Sequence, residues 1–189
     1  MPTTYAHYKF GKEVLSALPR PLQNSIEAHR ELFDIGLHGP DILFYYNALK
    51  KDPVNEQGHT LHEQFADEFF HHAVEVIEKA KDPAAARAYI YGFICHFALD
   101  SECHPYVEKI MQVGRVSHNE IEMELDRMML TEDYHDPLRY LTAKHIQPKM
   151  EYAEVIAPFF KDVTAEQIYK ALKGMVFYHK LFLAPTSGK

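Results

Sequence analysis

Tryptophan is absent from the chain, cysteine occurs twice and glycine eight times in 189 residues. Cys95 and Cys103 lie in one segment of helical periodicity. At about 1.5 Å rise per residue they are roughly 12 Å apart, too far for a disulfide. With no disulfide framework and no secretory h-region after Met1, the expected compartment is the cytoplasm. No apolar run approaches the length of a membrane-spanning helix. Positive charge is also short: 20 Lys and Arg face 27 Asp and Glu, for a net charge of −7. The basic residues are dispersed, so a duplex nucleic-acid partner, bound by counterion release, is not expected. The acidic balance likewise argues against tight docking on anionic membranes. Small anionic substrates stay open, because a bound divalent metal would reverse the local field.

What the chain does contain is helical periodicity. The length suits one domain with a sizeable core, and no strand-like alternation stands out. Breaks fall at Gly and Pro. The pattern predicts a first helix over about 5–18, with Thr3 or Thr4 as N-cap, and a second from Pro21 to Gly36. A turn at His38-Gly39-Pro40-Asp41 leads into the apolar run Ile42 to Tyr46. Lys50 to Gly58 reads as a polar loop, and Thr60 to Lys79 as a helix. Asp82-Pro83 opens the longest helix, from Ala84 to about Val113. Ser117-His118-Asn119-Glu120 has the form of a capping box, placing His118 in the first turn of a helix. Two or three further helices follow, through Tyr140, Met150 to Phe160 and Ile168 to Phe182. The expected architecture is all-α, a single-domain multi-helix bundle over 1–189, with the tail from about 184, Pro185 to Lys189, frayed.

Histidine is in excess, at 13 residues, and it is the commonest protein metal ligand. Three positions give the excess a location. His96, Asp100 and His104 are spaced i, i+4 and i+8 in the longest helix, so their side chains share one edge about a turn apart. The neighbouring stripe, Cys95, Leu99 and Cys103, is apolar and expected to face the core. Random arrangement of 13 His and 10 Asp in this length would produce His-x3-Asp-x3-His only about 0.05 times. A His-x3-Glu pair such as His118-x3-Glu122 is expected about once by chance and gains meaning only from following the first motif. Zinc takes nitrogen and oxygen donors at about 2 Å. A carboxylate between two imidazoles has two oxygens, so Asp100 can bridge two ions.

The run His96-Phe97-Ala98-Leu99-Asp100-Ser101-Glu102-Cys103-His104-Pro105-Tyr106, followed by His118-x3-Glu122, resembles the zinc-dependent phospholipase C family. That superfamily includes the clostridial alpha-toxin catalytic domain and the single-strand-specific fungal nucleases. Its pattern is His-x3-Asp, a short gap to His-Pro, then a His-x3-Glu or His-x3-Asp pair, and the likeness spans about residue 5 to at least 125. The resemblance implies a zinc-dependent hydrolase of phosphate esters with two or three Zn2+ ions. One zinc would be held by Asp41 of the Pro40-Asp41 turn, a following histidine, His96 and Asp100. That histidine is His62, favoured because Leu61-His62-Glu63 is expected to begin a helix, or else His59. A second zinc would be held by His104, His118 and Glu122. A third would be held by Asp100, His7 and the chain's own N-terminal amine and carbonyl. The gap from Asp100 to His104 is shorter than the family's usual spacer. The family's N-terminal ligand is a tryptophan exposed by signal-peptide removal, whereas this sequence starts at Met1; loss of Met1 would free Pro2, near His7.

In this reading Asp41 and Asp100 are the catalytic carboxylates. Asp100 bridges two ions, and Asp41 is a ligand and candidate general base. The expected substrate is a small phosphorylated compound or a phospholipid headgroup, and an intracellular phosphoesterase acting on a soluble substrate is as open as a lipase, since the chain ends before any added lipid-docking domain. Two other readings stand beside it. One is a non-catalytic, metal-stabilised helical protein. The other is a di-iron carboxylate bundle using the Glu68/His71 and Glu132/His135 pairs, although the second pair lies in what reads as a turn. His71 and His72 are adjacent, so at most one can face a given site. Nothing in the sequence assigns His29, His38, His135, His145 or His179.

Overall fold

The computed structural model describes residues 4–184; Thr3 and the tail Pro185 to Lys189 lie outside the described residues. Among the described residues nine α-helices form the frame: α1 (Thr4–Ala17), α2 (Arg20–Glu27), α3 (Arg30–Gly36), α4 (Pro53–Glu63), α5 (Ala66–Lys79), α6 (Pro83–Val113), α7 (His118–Glu132), α8 (Met150–Ile156) and α9 (Ala165–Leu181). A 3-10 helix, Gly39–Tyr45, follows α3, and a short one, Ala157–Phe159, follows α8. No strand occurs among the described residues. The expected all-α class is what the chain adopts.

Three boundaries differ from expectation, each for a local reason. The helix expected from Pro21 to Gly36 is two, because His29 leaves helical geometry at φ −132° and starts α3 as its N-cap. The loop expected over Lys50 to Gly58 turns helical at Pro53. Asp52 accepts a hydrogen bond from the Val54 N–H, and the Asn55 side chain accepts one from the Asp52 N–H. That reciprocal cap, with proline at the first helical position, nucleates α4 despite its polar composition. The expected Thr60–Lys79 helix breaks at Gln64 and Phe65. Leu61-His62-Glu63 therefore ends a helix rather than beginning one, and His62 sits in the last turn of α4.

The central rod is α6, 31 residues long, capped by the Asp82 carboxylate, which accepts from the Ala84 and Ala85 N–H groups. Pro105 lies inside it, so the Ser101 carbonyl lacks its usual i+4 donor just after His104. Against α6, α3 packs backbone to backbone. A Cβ on Gly92 would fall 2.2 Å from the Phe33 carbonyl oxygen, and one on Gly36 2.1 Å from that of Tyr89. Only hydrogen at both positions permits this approach. Two apolar clusters flank the rod. Leu15, Ile26, Phe33, Leu37 and Cys95 join α1, α2 and α3 to one side. Tyr89, Phe93, Ile42, Phe159, Leu172 and Met175 join the other side to the 3-10 helix, α8 and α9.

Three histidines with no assignment in sequence form a polar layer, His38 and His145 buried and His179 partly so. The Nε2 atoms of His38 and His145 are 2.7 Å apart, so only one of the two can carry the proton. Tyr8 stacks on His145 at 3.9 Å. His179 is hydrogen-bonded to the Tyr45 hydroxyl and the Thr142 hydroxyl, both at 2.9 Å. Burial, then the charge of nearby His179, pushes His145 down to about 3, and burial alone pushes His179 down to about 4. Both are neutral in the fold but titrate near 6.5 when unfolded.

The unfolded chain thus binds more protons below about pH 6.5, so stability from these groups is complete above that pH and is lost as pH falls towards 4. Urea midpoints of the metal-free protein should drop through that window, and a His145→Asn, His179→Asn double variant should show a shallower slope. An equally steep slope in the double variant would remove these histidines as the cause.

Candidate metal centre

On α6, His96, Asp100 and His104 do lie along one edge, and the carboxylate of Asp100 is the hub. Its Oδ2 is 3.3 Å from His96 Nε2 and 3.8 Å from His62 Nε2. Its Oδ1 is 3.2 Å from His7 Nε2 and 3.8 Å from His104 Nε2. Each oxygen therefore faces two imidazoles. The apolar stripe beside this edge is buried at Cys95 but only partly so at Leu99 and Cys103.

Each remaining member is placed by its own element. His62 Nδ1 is 2.7 Å from the Gly58 carbonyl oxygen. A carbonyl only accepts, so Nδ1 carries the hydrogen and the lone pair of neutral His62 is on Nε2. That atom lies 3.0 Å from Oδ1 of buried Asp41, in the 3-10 helix. The capping box of Ser117 and Glu120 starts α7 at His118, whose Nε2 is 2.7 Å from Glu122 Oε1. His104 Nε2 lies 3.8 Å from the same oxygen. His7 is fixed through its backbone: the N–H groups of Tyr5 and Ala6, in the first turn of α1, donate to the Asp126 carboxylate of α7 at 3.0 and 2.8 Å. The His7 ring then stacks on His96 at 4.3 Å. Gly39 has φ +47°, and a Cβ there would fall 2.3 Å from His96 Cδ2.

The donors fit a divalent cation better than they fit one another. Asp41 Oδ1, His62 Nε2, His96 Nε2 and His104 Nε2 are all buried and none makes a hydrogen bond. The 3.0 Å approach of His62 to Asp41 is an ion-pair distance without hydrogen-bond directionality. Buried polar atoms without partners are rare in folded proteins. Among the described residues three groups have ligand atoms mutually within 4.8 Å: His7, His96 and Asp100; Asp41, His62 and His96; and His104, His118 and Glu122. Imidazole and carboxylate donors suit zinc. His96 belongs to two groups, where the resemblance gave the shared role to Asp100 alone.

Charge follows the same geometry. Burial works to raise the Asp100 carboxyl, but the contacts of His7 and His96 outweigh it and hold the group well below the usual carboxylate range. Burial lowers His7, reinforced by His96 and opposed by Asp100. Burial also works to lower His62, yet the Asp41 carboxylate prevails and lifts it to about 9.

His59, the competitor of His62, packs on Phe44 at 4.5 Å and joins none of the three groups. The N-terminal amine and carbonyl lie outside the described residues. The di-iron arrangement does not form: Glu68 and His71 are exposed on α5, Glu132 is exposed at the end of α7, and neither pair enters a ligand group. Asp126 was not foreseen, though its spacing carries a signal, since His118, Glu122 and Asp126 repeat on α7 the i, i+4, i+8 edge of α6. A cavity of about 250 Å³ opens on the cluster between His62, Asp100, His104, Phe65 and Phe97.

An all-helical frame that gathers imidazoles and carboxylates at these separations defines a class, the helical proteins with clustered divalent-metal ligands. Within that class the chain belongs to the zinc dependent phospholipase C family, whose profile matches residues 6–174. No curated protein and no solved structure matches it.

Two outcomes follow from this geometry. Zinc must displace the proton that Asp41 stabilises on His62, so apparent zinc affinity should rise up to about tenfold per pH unit from pH 6.5 towards 9; a pH-independent affinity, measured by chelator competition, would contradict the contact. Gly39→Ala should cost about 1–3 kcal/mol of stability and lower zinc affinity about 10- to 100-fold through displacement of His96. Unchanged zinc binding by that variant would mean the His96 ring is not held by this turn.

Proposed function

We propose that the chain is a single-domain, zinc-dependent hydrolase of phosphate esters, with Asp41, His62, His96, Asp100, His104, His118 and Glu122 holding two zinc ions and His7 joining Asp100 at a third. The observation that carries this reading is the placement of Asp100, whose two oxygens each face two imidazoles. A carboxylate so placed suits a bridge between neighbouring cations.

Bound zinc would supply polarisation of the phosphoryl oxygens and an acidified water. The chain's own residues do the rest. The Gly58 carbonyl and the Gly39 turn orient His62 and His96, so the ligands are held before any ion arrives. Asp41, grouped with His62 and His96, would accept the proton of the attacking water and orient it. His104, His118 and Glu122 sit on the side where charge on the leaving oxygen would be balanced. Phe65 and Phe97, both exposed to solvent, form an apolar rim to the cavity. The cavity, about 250 Å³, suits a group the size of a phospholipid headgroup or a small phosphorylated compound rather than a duplex.

Elemental analysis should find two or three zinc ions per chain, and the zinc-loaded protein should hydrolyse p-nitrophenyl phosphodiesters or p-nitrophenyl phosphorylcholine. Asp100→Asn should lose zinc and reduce kcat/KM at least about 100-fold, or about 2.7 kcal/mol of transition-state stabilisation, with helicity unchanged. Full zinc content with no turnover on any ester would favour a metal-stabilised, non-catalytic role, and normal turnover by Asp100→Asn would overturn the scheme.

A further inference from the structure

One face carries apolar side chains that the fold leaves in water. Leu49, at the tip of the loop between the 3-10 helix and α4, is 87% exposed, and Phe177, Leu181 and Phe182 at the end of α9 are 58%, 59% and 82% exposed. Leu49 and Phe177 line one depression, and Leu49 and Phe182 line the adjoining groove, so loop and helix end form a continuous surface. A loop that merely frayed would not hold an apolar tip in place, and this one is tied down. Asn47, at φ 48°, donates from its amide to Asp52 at 3.0 Å and accepts from Lys170 at 2.7 Å.

The same face is basic although the chain as a whole is acidic. On α9, Lys170, Lys173, Phe177, Lys180 and Leu181 form the exposed stripe, while Ile168, Leu172 and Met175 are buried on the opposite side. Lys50 and Lys51 flank Leu49. Lys51 is paired with Glu56 at 3.2 Å; among the described residues Lys50, Lys170, Lys173 and Lys180 have no ion pair with a carboxylate. Glu166 opens the helix at the far end of the stripe. Exposed Phe and Leu interleaved with lysine is the pattern of a surface that lies in a lipid interface, the apolar tips entering the acyl boundary and the ammonium groups meeting anionic headgroups. A second copy of the chain is a poorer occupant, because a two-fold contact would set these lysines against one another.

The face also comes within one side chain of the candidate metal centre, although it shares no lining residue with the cavity that opens on the cluster. Phe44 lines the groove beside Leu49 and Lys51, and its ring stacks on His62 at 5.6 Å. We propose that Leu49, Phe177, Leu181 and Phe182, with Lys50, Lys170, Lys173 and Lys180, form a docking face for an anionic phospholipid surface, presenting lipid one aromatic ring away from the metal ligands. This deepens the phospholipid branch of the proposed function and rests on it for its purpose, though not for its test. Net charge alone argues the other way. Screening limits that repulsion to about 8–10 Å, so a bilayer responds to the face it touches rather than to the whole chain.

The test is co-sedimentation of the full chain with phosphatidylcholine vesicles, with and without a minor fraction of phosphatidylserine, at low and high salt. The protein should pellet with the anionic vesicles, weakly with phosphatidylcholine alone, and be released by salt. A Lys173→Glu, Lys180→Glu variant should bind the anionic vesicles about 30-fold more weakly or worse, and a Leu49→Ser, Phe177→Ser variant at least about tenfold more weakly. Both should melt like the parent and hydrolyse a soluble p-nitrophenyl diester at the parental rate. Parental protein that stays in the supernatant, or two variants that bind as the parent does, would overturn the docking face even with soluble esterase activity intact. A parental dimer that both variants dissociate would overturn it in favour of a self-interface. Vesicle binding that the variants abolish, in a protein inactive on every ester, would retain the face and remove the hydrolase reading.

Discussion

A carboxylate set among four imidazoles governs the arrangement of this molecule. Asp100 is largely shielded from water and meets His7, His62, His96 and His104 within 3.8 Å. Shielding a carboxylate is costly unless opposite charge or hydrogen bonds compensate it. The neighbours here are nitrogens that can share protons with it or, together with it, surround a cation. These four histidines come from three helices, so the demand of one side chain ties α1, α4 and α6 together.

The supporting structure can be read as what keeps those nitrogens in place. Backbone contact at Gly36 and Gly92 sets α3 against α6, which delivers the following turn, with Gly39 and Asp41, over His96. The Asp52–Asn55 cap starts α4 where a loop was expected and so brings His62 around at its last turn. Asp126 holds the first turn of α1 and carries His7 into the cluster. Gly36, Gly39, Gly92, Asp52, Asn55 and Asp126 belong to no ligand group, yet each sets the position of a residue that does. Metal sites commonly depend on such outer partners for ligand orientation.

Function separates into chemistry and delivery. The ligand clusters and the adjoining cavity suit the proposed hydrolysis of a phosphate ester, and membership of the zinc dependent phospholipase C family agrees with that proposal. The proposed delivery would depend on a different physical feature, the contrast between an acidic chain and a lysine- and phenylalanine-bearing edge. Summed charge hides that contrast because it averages over faces that never meet the same partner. The polar layer of His38, His145 and His179 lies behind the cluster, kept neutral by burial. His38 and His145 share one hydrogen bond there, and His179 is held by Tyr45 and Thr142.

Much of this was legible in the residues. Period alone located α6 and its His96–Asp100–His104 edge, because four residues of helix return a side chain to the same line whatever surrounds it. Local chemistry placed His118, because a capping box is made by residues three apart. The same kind of signal at Asp52-Pro53-Val54-Asn55 was present, but the polar composition around it read as loop. The choice between His59 and His62 was open in sequence, since both lie near Asp41 along the chain. Folding settled their places by turning His62 inward at the end of α4 and packing His59 on Phe44. Asp126 and Gly39 gain their roles only across the interior, from elements far apart in the chain. The sequence by itself determined helix, edge and ligand type, which depend on neighbours within a turn. Tertiary structure alone decided which edges face one another, because contact between distant segments is set by how whole helices pack and not by any local run of residues.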